Sequence, residues 1–215
     1  KEVAESFIDQ RPHDRIGIVA YEGEAFTQVP VTTDHVVVKN GIKGLKTGML
    51  EGGTAIGMGL ATAVNRLRQS EAKSKVIILL TDGMNNAGQI EPLDAAQLAE
   101  LNDIRIYTIG VGTIGKAYSP VAIIGNEYKY DWVDVQIDED ALMAIAEKTN
   151  GKYFRATNAD KLASIYDEID ELEKTRFNVM RYQRKTEAYL PFLIVALTSL
   201  LLEKVLRFTL IRSIS

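Results

Sequence analysis

The chain has 215 residues, 46% of them hydrophobic and 25% charged, with a formal net charge of −4. That is enough for one globular domain with a core of its own, and an acidic balance without a basic-aromatic run gives no support for nucleic acid as a partner. With no cysteine and only two histidines, His13 and His35, disulfides, thiol catalysis and thiolate metal sites are excluded, and a His-rich zinc site is disfavoured. Any metal would be held by oxygens, which selects a hard cation such as magnesium, calcium or manganese.

In chain order, residues 1–8 place Val3, Ala4, Phe7 and Ile8 on one face of an amphipathic helix. No start signal, initiator Met or signal peptide precedes it, so the sequence is expected to begin inside an element. Residues 14–21 (DRIGIVAY) read as a strand and 25–31 (AFTQVPV) as its hairpin partner, with Pro30 marking an edge strand. Asp34 can cap a helix carrying Val38, Ile42 and Leu45, which Gly41 and Gly44 weaken. A loop ending Gly52-Gly53-Thr54 leads into a helix with Ile56, Leu60, Ala63, Val64 and Leu67 at helical spacing.

Val76-Ile-Ile-Leu-Leu-Thr-Asp-Gly83 follows. A short aliphatic run bounded by turn residues suits a parallel strand buried on both faces. Its carboxyl end delivers Asp82 to the sheet edge where open α/β sheets bind ligands. A helix from Pro92 to about Leu101, a strand at 104–109, a helix capped by Asp138 and closed by Asn150-Gly151, a strand at 152–156 and a helix entered through Thr157-Asn-Ala-Asp160 complete the alternation. The implied fold is a doubly wound, mostly parallel sheet with helices on both faces. Residues 112–137 interrupt it as a β-hairpin insertion, a candidate for setting partner specificity, in which Trp132, Tyr128 and Tyr130 serve cross-strand packing.

Thr54 and Asp82 lie on loops that should meet at one end of the sheet. A hydroxyl and a carboxylate there could share a magnesium or manganese ion, with waters or further ligands completing the shell. The plainer alternatives are that Thr54 caps its helix and that Asp82 is a turn residue. Asn85 and Asn86 either line the same rim or form the turn. Gly110-Val-Gly112-Thr-Ile-Gly115 matches a dinucleotide fingerprint in letters, but a β-rich stretch follows where that motif needs a helix. No nucleophile, base or phosphate-gripping group accompanies Asp82, so a metal-assisted hydrolase is the weaker reading and a non-enzyme the stronger.

Together, DRIGIVAYEG at 14–23, Pro30-Val-Thr-Thr-Asp34, Gly52-Gly-Thr-Ala-Ile-Gly57, Leu80-Thr-Asp-Gly83 and the final strand and helix resemble a von Willebrand factor A domain over residues 1–174. With the C-terminal apolar segment, the chain resembles the membrane-anchored bacterial Bat (aerotolerance-type) proteins, of the BatA kind. The resemblance implies a mostly parallel sheet with one antiparallel edge strand. It also implies a metal-ion-dependent adhesion site of a D-x-S-x-S loop, a threonine and an aspartate, of which Thr54 and Asp82 match the last two. The D-x-S-x-S loop does not occur in this sequence. The first strand is therefore expected to be missing, with a gap in the core, unpaired edges and poor folding of residues 1–174 alone. Further implications are a protein partner presenting an acidic side chain, stress tolerance, and an envelope complex linked to an AAA ATPase. The place implied is the outer, periplasmic face of the bacterial inner membrane.

After residue 174 the chain becomes basic, and 175–187 reads as a stalk. Residues 188–208 read as a transmembrane helix and 209–215 as a tail. The span begins with an uncharged run from Ala188 to Leu202, and Glu203, Lys204 and Arg207 fall near the far interface.

Overall fold

The computed structural model describes residues 1–50, 52–112, 115–124, 127–135, 137–182 and 189–207. The chain divides into two compact units, Lys1–Asp170 and Glu171–Ser215. Helix α1 (Glu2–Asp9) leads into an antiparallel ribbon of β1 (Ile16–Tyr21) and β2 (Ala25–Thr32), followed by α2 (His35–Gly44). Then come α3 (Ile56–Leu67), β3 (Lys75–Thr81), α4 (Pro92–Leu101) and β4 (Ile104–Val111). A second ribbon, β5 (Gly115–Ile124) with β6 (Glu127–Val135), precedes α5 (Glu139–Lys148), β7 (Tyr153–Ala156) and α6 (Ala159–Tyr182). The last helix is α7 (Tyr189–Leu206).

Local chemistry sets these boundaries. The Asp34 carboxylate accepts from the amides of Val36 and Val37 at 3.1 and 3.2 Å, so α2 forms despite its glycines. Asp138 accepts from Ala141 N–H at 2.9 Å at the start of α5. Pro92 occupies the first turn of α4, where a missing N–H costs nothing. The cap of α6 is Asn158, accepting from Lys161 N–H at 2.7 Å, rather than Thr157. The helix then runs to Tyr182, through residues whose charge pattern reads as a stalk.

Strands β3, β4 and β7 form a parallel sheet in that order, with Leu79 opposite Thr108 and Ile109 opposite Phe154. Its main core joins Ile77 and Leu79 of β3 and Ile104 and Ile106 of β4 to the buried faces of α3, α4 and α5. The strand buried on both faces is β4, from Ile106 to Gly110, and not β3 as its aliphatic run suggests. In β3, Ile77, Leu79 and Thr81 are buried while Ile78 and Leu80 are half-buried. The reason is position: β4 is paired along both edges and β3, among the described residues, along one.

The single sheet expected from the resemblance is likewise not continuous among the described strands, because β1–β2 stands as a separate two-stranded sheet. Its two faces feed two cores. Ile16 and Ile18 pack with Ile8, Val29, Val38 and Ile42 under α1 and α2, and Tyr21, of opposite parity, packs with the core of α3. Helices thus cover both faces of this ribbon, as a doubly wound design requires. The hairpin insertion is present as β5–β6, with Tyr118 opposite Trp132 and Pro120 opposite Tyr130.

Helix α1 is held through Phe7, whose ring lies 4.5 Å from that of Tyr166 on α6, and through Arg11, which bonds Asp170 at 2.7 Å. Burial pushes the Tyr166 hydroxyl up to about 12, and that of Tyr21 to about 12 as well. A raised folded pKa means that the neutral phenol is the form the fold accepts. Its stability contribution is therefore complete below pH 10 and is lost as pH rises from 10 towards 12. By pH 11 the loss should be on the order of 1 kcal/mol per tyrosine. Urea unfolding at pH 9 and pH 11 reads it, and Tyr166→Phe should flatten the dependence by about half. An unchanged midpoint across that window would refute the burial argument.

In the second unit, α7 is 18 residues long, about 27 Å at 1.5 Å per residue, against a hydrocarbon core of about 30 Å. Among the described residues no helix is long and apolar enough to cross a membrane. The span expected at 188–208 runs past α7 at both ends, and residues 188 and 208 lie outside the described residues.

Candidate metal centre

The site is built where β3 ends. The Thr81 hydroxyl donates to the Gly83 carbonyl at 3.1 Å and accepts from Gly83 N–H at 3.2 Å, folding the chain into a tight turn that leaves Asp82 exposed. Below it, the Tyr21 hydroxyl donates to the Leu80 carbonyl at 2.5 Å, reaching from β1 to β3 where no backbone ladder joins them. Burial raises the pKa of that phenol most. A hydrogen bond with Thr81 opposes the shift, and the nearby Asp82 carboxylate adds to it.

The second half of the site comes from the loop before α3. Thr54 does not cap that helix: the N-cap position is Ala55, with no side-chain cap from its own loop. A Cβ placed on Gly83 would lie 3.3 Å from the Thr54 Oγ1, so the two loops are in contact at the site. Thr54 and Asp82 line one cavity of about 570 Å³, with Glu22, Lys46, Thr81 and Val111 among its other walls.

Three successive amides of this loop are engaged. Thr54 N–H donates to Asn86 Oδ1 at 2.7 Å, Ala55 N–H to the Glu22 carbonyl at 2.6 Å, and Ile56 N–H to Asn85 Oδ1 at 2.9 Å. Asn86 N–H returns a bond to the Thr54 carbonyl at 3.0 Å. The Glu22 carboxylate accepts from Gly48 and Leu50 N–H, both at 2.7 Å. The Thr54 hydroxyl and the Asp82 carboxylate, by contrast, form no hydrogen bond with any described residue.

A hydroxyl and a carboxylate facing one cavity without internal partners fit two places in the shell of magnesium or manganese, both of which prefer oxygen donors and keep waters. Among the described residues no group of three His, Cys, Asp or Glu side chains could hold an ion. These two oxygens would be the share of a shell that the described residues could supply.

The sequence pairing of Thr54 with Asp82 thus holds in space. Sequence reasoning missed the role of Asn85 and Asn86, which neither form the rim nor serve only as turn residues. It also missed Glu22, which reads as a hairpin-turn residue. The one local signal was a pair of adjacent amides after Asp-Gly, and their partners lie 32 and 29 residues away.

The matching family model settles the fold. It is described as the von Willebrand factor type A domain and covers residues 1–168. The chain belongs to this family. It is similar to the crystal structure of an aerotolerance-related membrane protein from Bacteroides fragilis, with a TM-score of 0.65, 25% identity, and coverage of 78% of this chain and 84% of that one. It is similar also to the conserved hypothetical protein BatB from Bacteroides thetaiotaomicron, with a TM-score of 0.65, 26% identity, and coverage of 80% and 86%. An uncharacterised protein of Borreliella burgdorferi is 27% identical over 201 residues, 94% of this chain and 59% of that protein. The chain spans roughly half to three fifths of the length of the curated relatives it matches.

Elsewhere in this von Willebrand factor type A domain, the Gly110-x-Gly112-x-x-Gly115 match leads into a strand, β5, at Gly115. The helix N-terminus that a dinucleotide pyrophosphate needs is not there. His35 is engaged structurally, its Nε2 lying 2.8 Å from the Asp14 carbonyl oxygen.

Proposed function

We propose that the chain is a non-enzymatic, membrane-anchored interaction module that binds a protein partner through a magnesium or manganese ion held in part by Thr54 and Asp82. The observation that carries this reading is the pairing of two oxygens without a described hydrogen-bond partner in one cavity, on two loops tied to each other through Asn85 and Asn86. A tied frame that leaves a hydroxyl and a carboxylate unused side by side suits an ion more than an internal contact. The ion would supply an electrophilic position to which a partner's carboxylate coordinates, while Thr54 and Asp82 hold it and waters complete the shell. Asp82 acts directly or through a bound water.

A hydrolase would require a base or a phosphate-gripping cation aimed at the same atoms. The one histidine with a described partner is tied to a backbone carbonyl. The setting proposed is a bacterial envelope complex, with the domain on the periplasmic side of the inner membrane and a role in stress tolerance. Support comes from the similarity to an aerotolerance-related membrane protein and from the exposed apolar surface of α7.

Calorimetric titration of magnesium and manganese into the full-length protein tests the reading. Asp82→Ala should abolish detectable binding, and Thr54→Ala should weaken it about tenfold, the order lost when a metal site's support is removed. Both variants should keep the wild-type melting curve. No binding by the folded wild-type protein would remove the ion and leave a scaffold that works through other contacts.

A further inference from the structure

The loop that presents Thr54 is held by residues outside its own helix. A helix start leaves its first amides without intrahelical partners, and an N-cap side chain normally satisfies one. Here the N-cap is alanine and offers nothing. The need is met from the Asp82 loop: Asn85 Oδ1 takes Ile56 N–H and Asn86 Oδ1 takes Thr54 N–H. Asn86 N–H then bonds the Thr54 carbonyl, so these two residues are joined by a reciprocal pair, as neighbours are in a sheet.

The packing leaves little slack. A Cβ on Gly53 would lie 2.8 Å from the Ala87 Cβ and 3.3 Å from Asn86 Oδ1, and Gly53 has a φ of 128°, which strains other residues. Gly88, at φ 87°, would place a Cβ 2.9 Å from that of Ala55. The two loops interlock through glycines on both sides, and the asparagines supply hydrogen bonds across the seam, two through side chains and one through the Asn86 amide.

We propose that Asn85 and Asn86 are positioning residues for the Thr54–Asp82 site, fixing the distance between its hydroxyl and its carboxylate and thereby the affinity for the ion. This rests on the ion reading above and deepens it. Each asparagine acts through the loop backbone and touches no ion. Removing the Asn86 carbonyl frees Thr54 N–H and lets the Thr54 loop move away from Asp82. An ion demanding near-octahedral geometry then loses one of its two ligands from the described residues.

The test is ion titration and thermal melting of the full-length protein with Asn86→Ala, Asn85→Ala, Asn86→Asp and Asp34→Ala. The last removes a helix cap on α2 with two comparable amide bonds, so it matches the loss of stability away from the site. Asn86→Ala should weaken magnesium binding by tenfold or more and Asn85→Ala by somewhat less. Asn86→Asp keeps an acceptor in the same place and should restore affinity to the wild-type value or above it. Asp34→Ala should melt earlier and bind the ion normally. Normal affinity in Asn86→Ala overturns the positioning role and leaves the ion site standing. Loss of affinity in Asp34→Ala to the same degree overturns it too, since general destabilisation would then explain the effect. No binding by the wild type ends both readings together.

Discussion

Gly151→Ala is expected to cost the domain at least about 3 kcal/mol and roughly 10 °C in melting temperature, or to prevent its folding altogether. A methyl carbon built at this position would sit 1.8 Å from the Ile106 carbonyl oxygen, far inside van der Waals contact. The obstacle is backbone in the middle of β4, and no rotamer can clear it. The surrounding turn cannot move away either. Gly151 N–H donates to the Ala146 carbonyl at 2.8 Å, and Asn150 already takes a left-handed φ of 56°. The buried Thr149 hydroxyl accepts from Ile106 N–H at 3.0 Å. One residue of β4 thus receives the end of α5 through both its amide and its carbonyl. Gly52→Ala is the matched control, since a methyl there would have nothing within 4 Å of it and the residue's φ is ordinary. That change should shift stability by no more than about 0.5 kcal/mol. Equal melting of the two variants would show that the turn after α5 can relax, and that its glycine is not a packing requirement.

The same turn shows what a sequence carries and what it does not. Asn150-Gly151 is legible as a helix stop because left-handed conformers favour those residues, and Asp34, Pro92 and Asp138 are legible for similarly local reasons. Alternation of strands and helices gave the α/β class, and the turn after Leu80 placed Asp82 at a strand end. Long-range facts were hidden. The aliphatic run of β3 looks more buried than that of β4, yet burial follows from which strand is paired on both edges, and pairing partners leave no mark on a strand's own letters. The pairing of Thr54 with Asp82 could be reached by placing both at loop ends on one side of the sheet. The asparagines that hold the two loops together could not, because an amide after Asp-Gly looks like any turn former until its acceptor meets a distant N–H.

The second large effect concerns α7. Replacing both Leu197 and Leu200 by arginine, or removing residues 189–207, is expected to move the full-length protein from the detergent phase to the aqueous phase in a partition at neutral pH. The apolar side chains of α7 are exposed in every direction: Phe192 is 75% exposed, Val195 66%, and Leu197, Leu200 and Leu201 59% each. Successive residues turn by about 100°, so Leu193, Ile194 and Val195 already point to three sides, and docking through one face would leave the others in water. Burying one such side chain is worth about 1.5–3 kcal/mol, and an all-round cover is what lipid provides. The helix is also self-sufficient in hydrogen bonds, the Thr198 hydroxyl donating to the carbonyls of Ile194 and Val195 at 3.0 and 2.9 Å. At its far end, Glu203 and Lys204 are long enough to reach an interface. If α7 spans a bilayer as proposed, that reach would offset a helix slightly shorter than the hydrocarbon core, as local thinning of the bilayer does for other short spans. Each arginine placed mid-helix costs about 2.5–3.5 kcal/mol in a bilayer, so a pair would oppose the proposed insertion, while Leu197→Phe should change nothing. If the wild-type protein itself partitions into water, α7 is covered by protein, and the double arginine variant should then lose a partner and keep its phase.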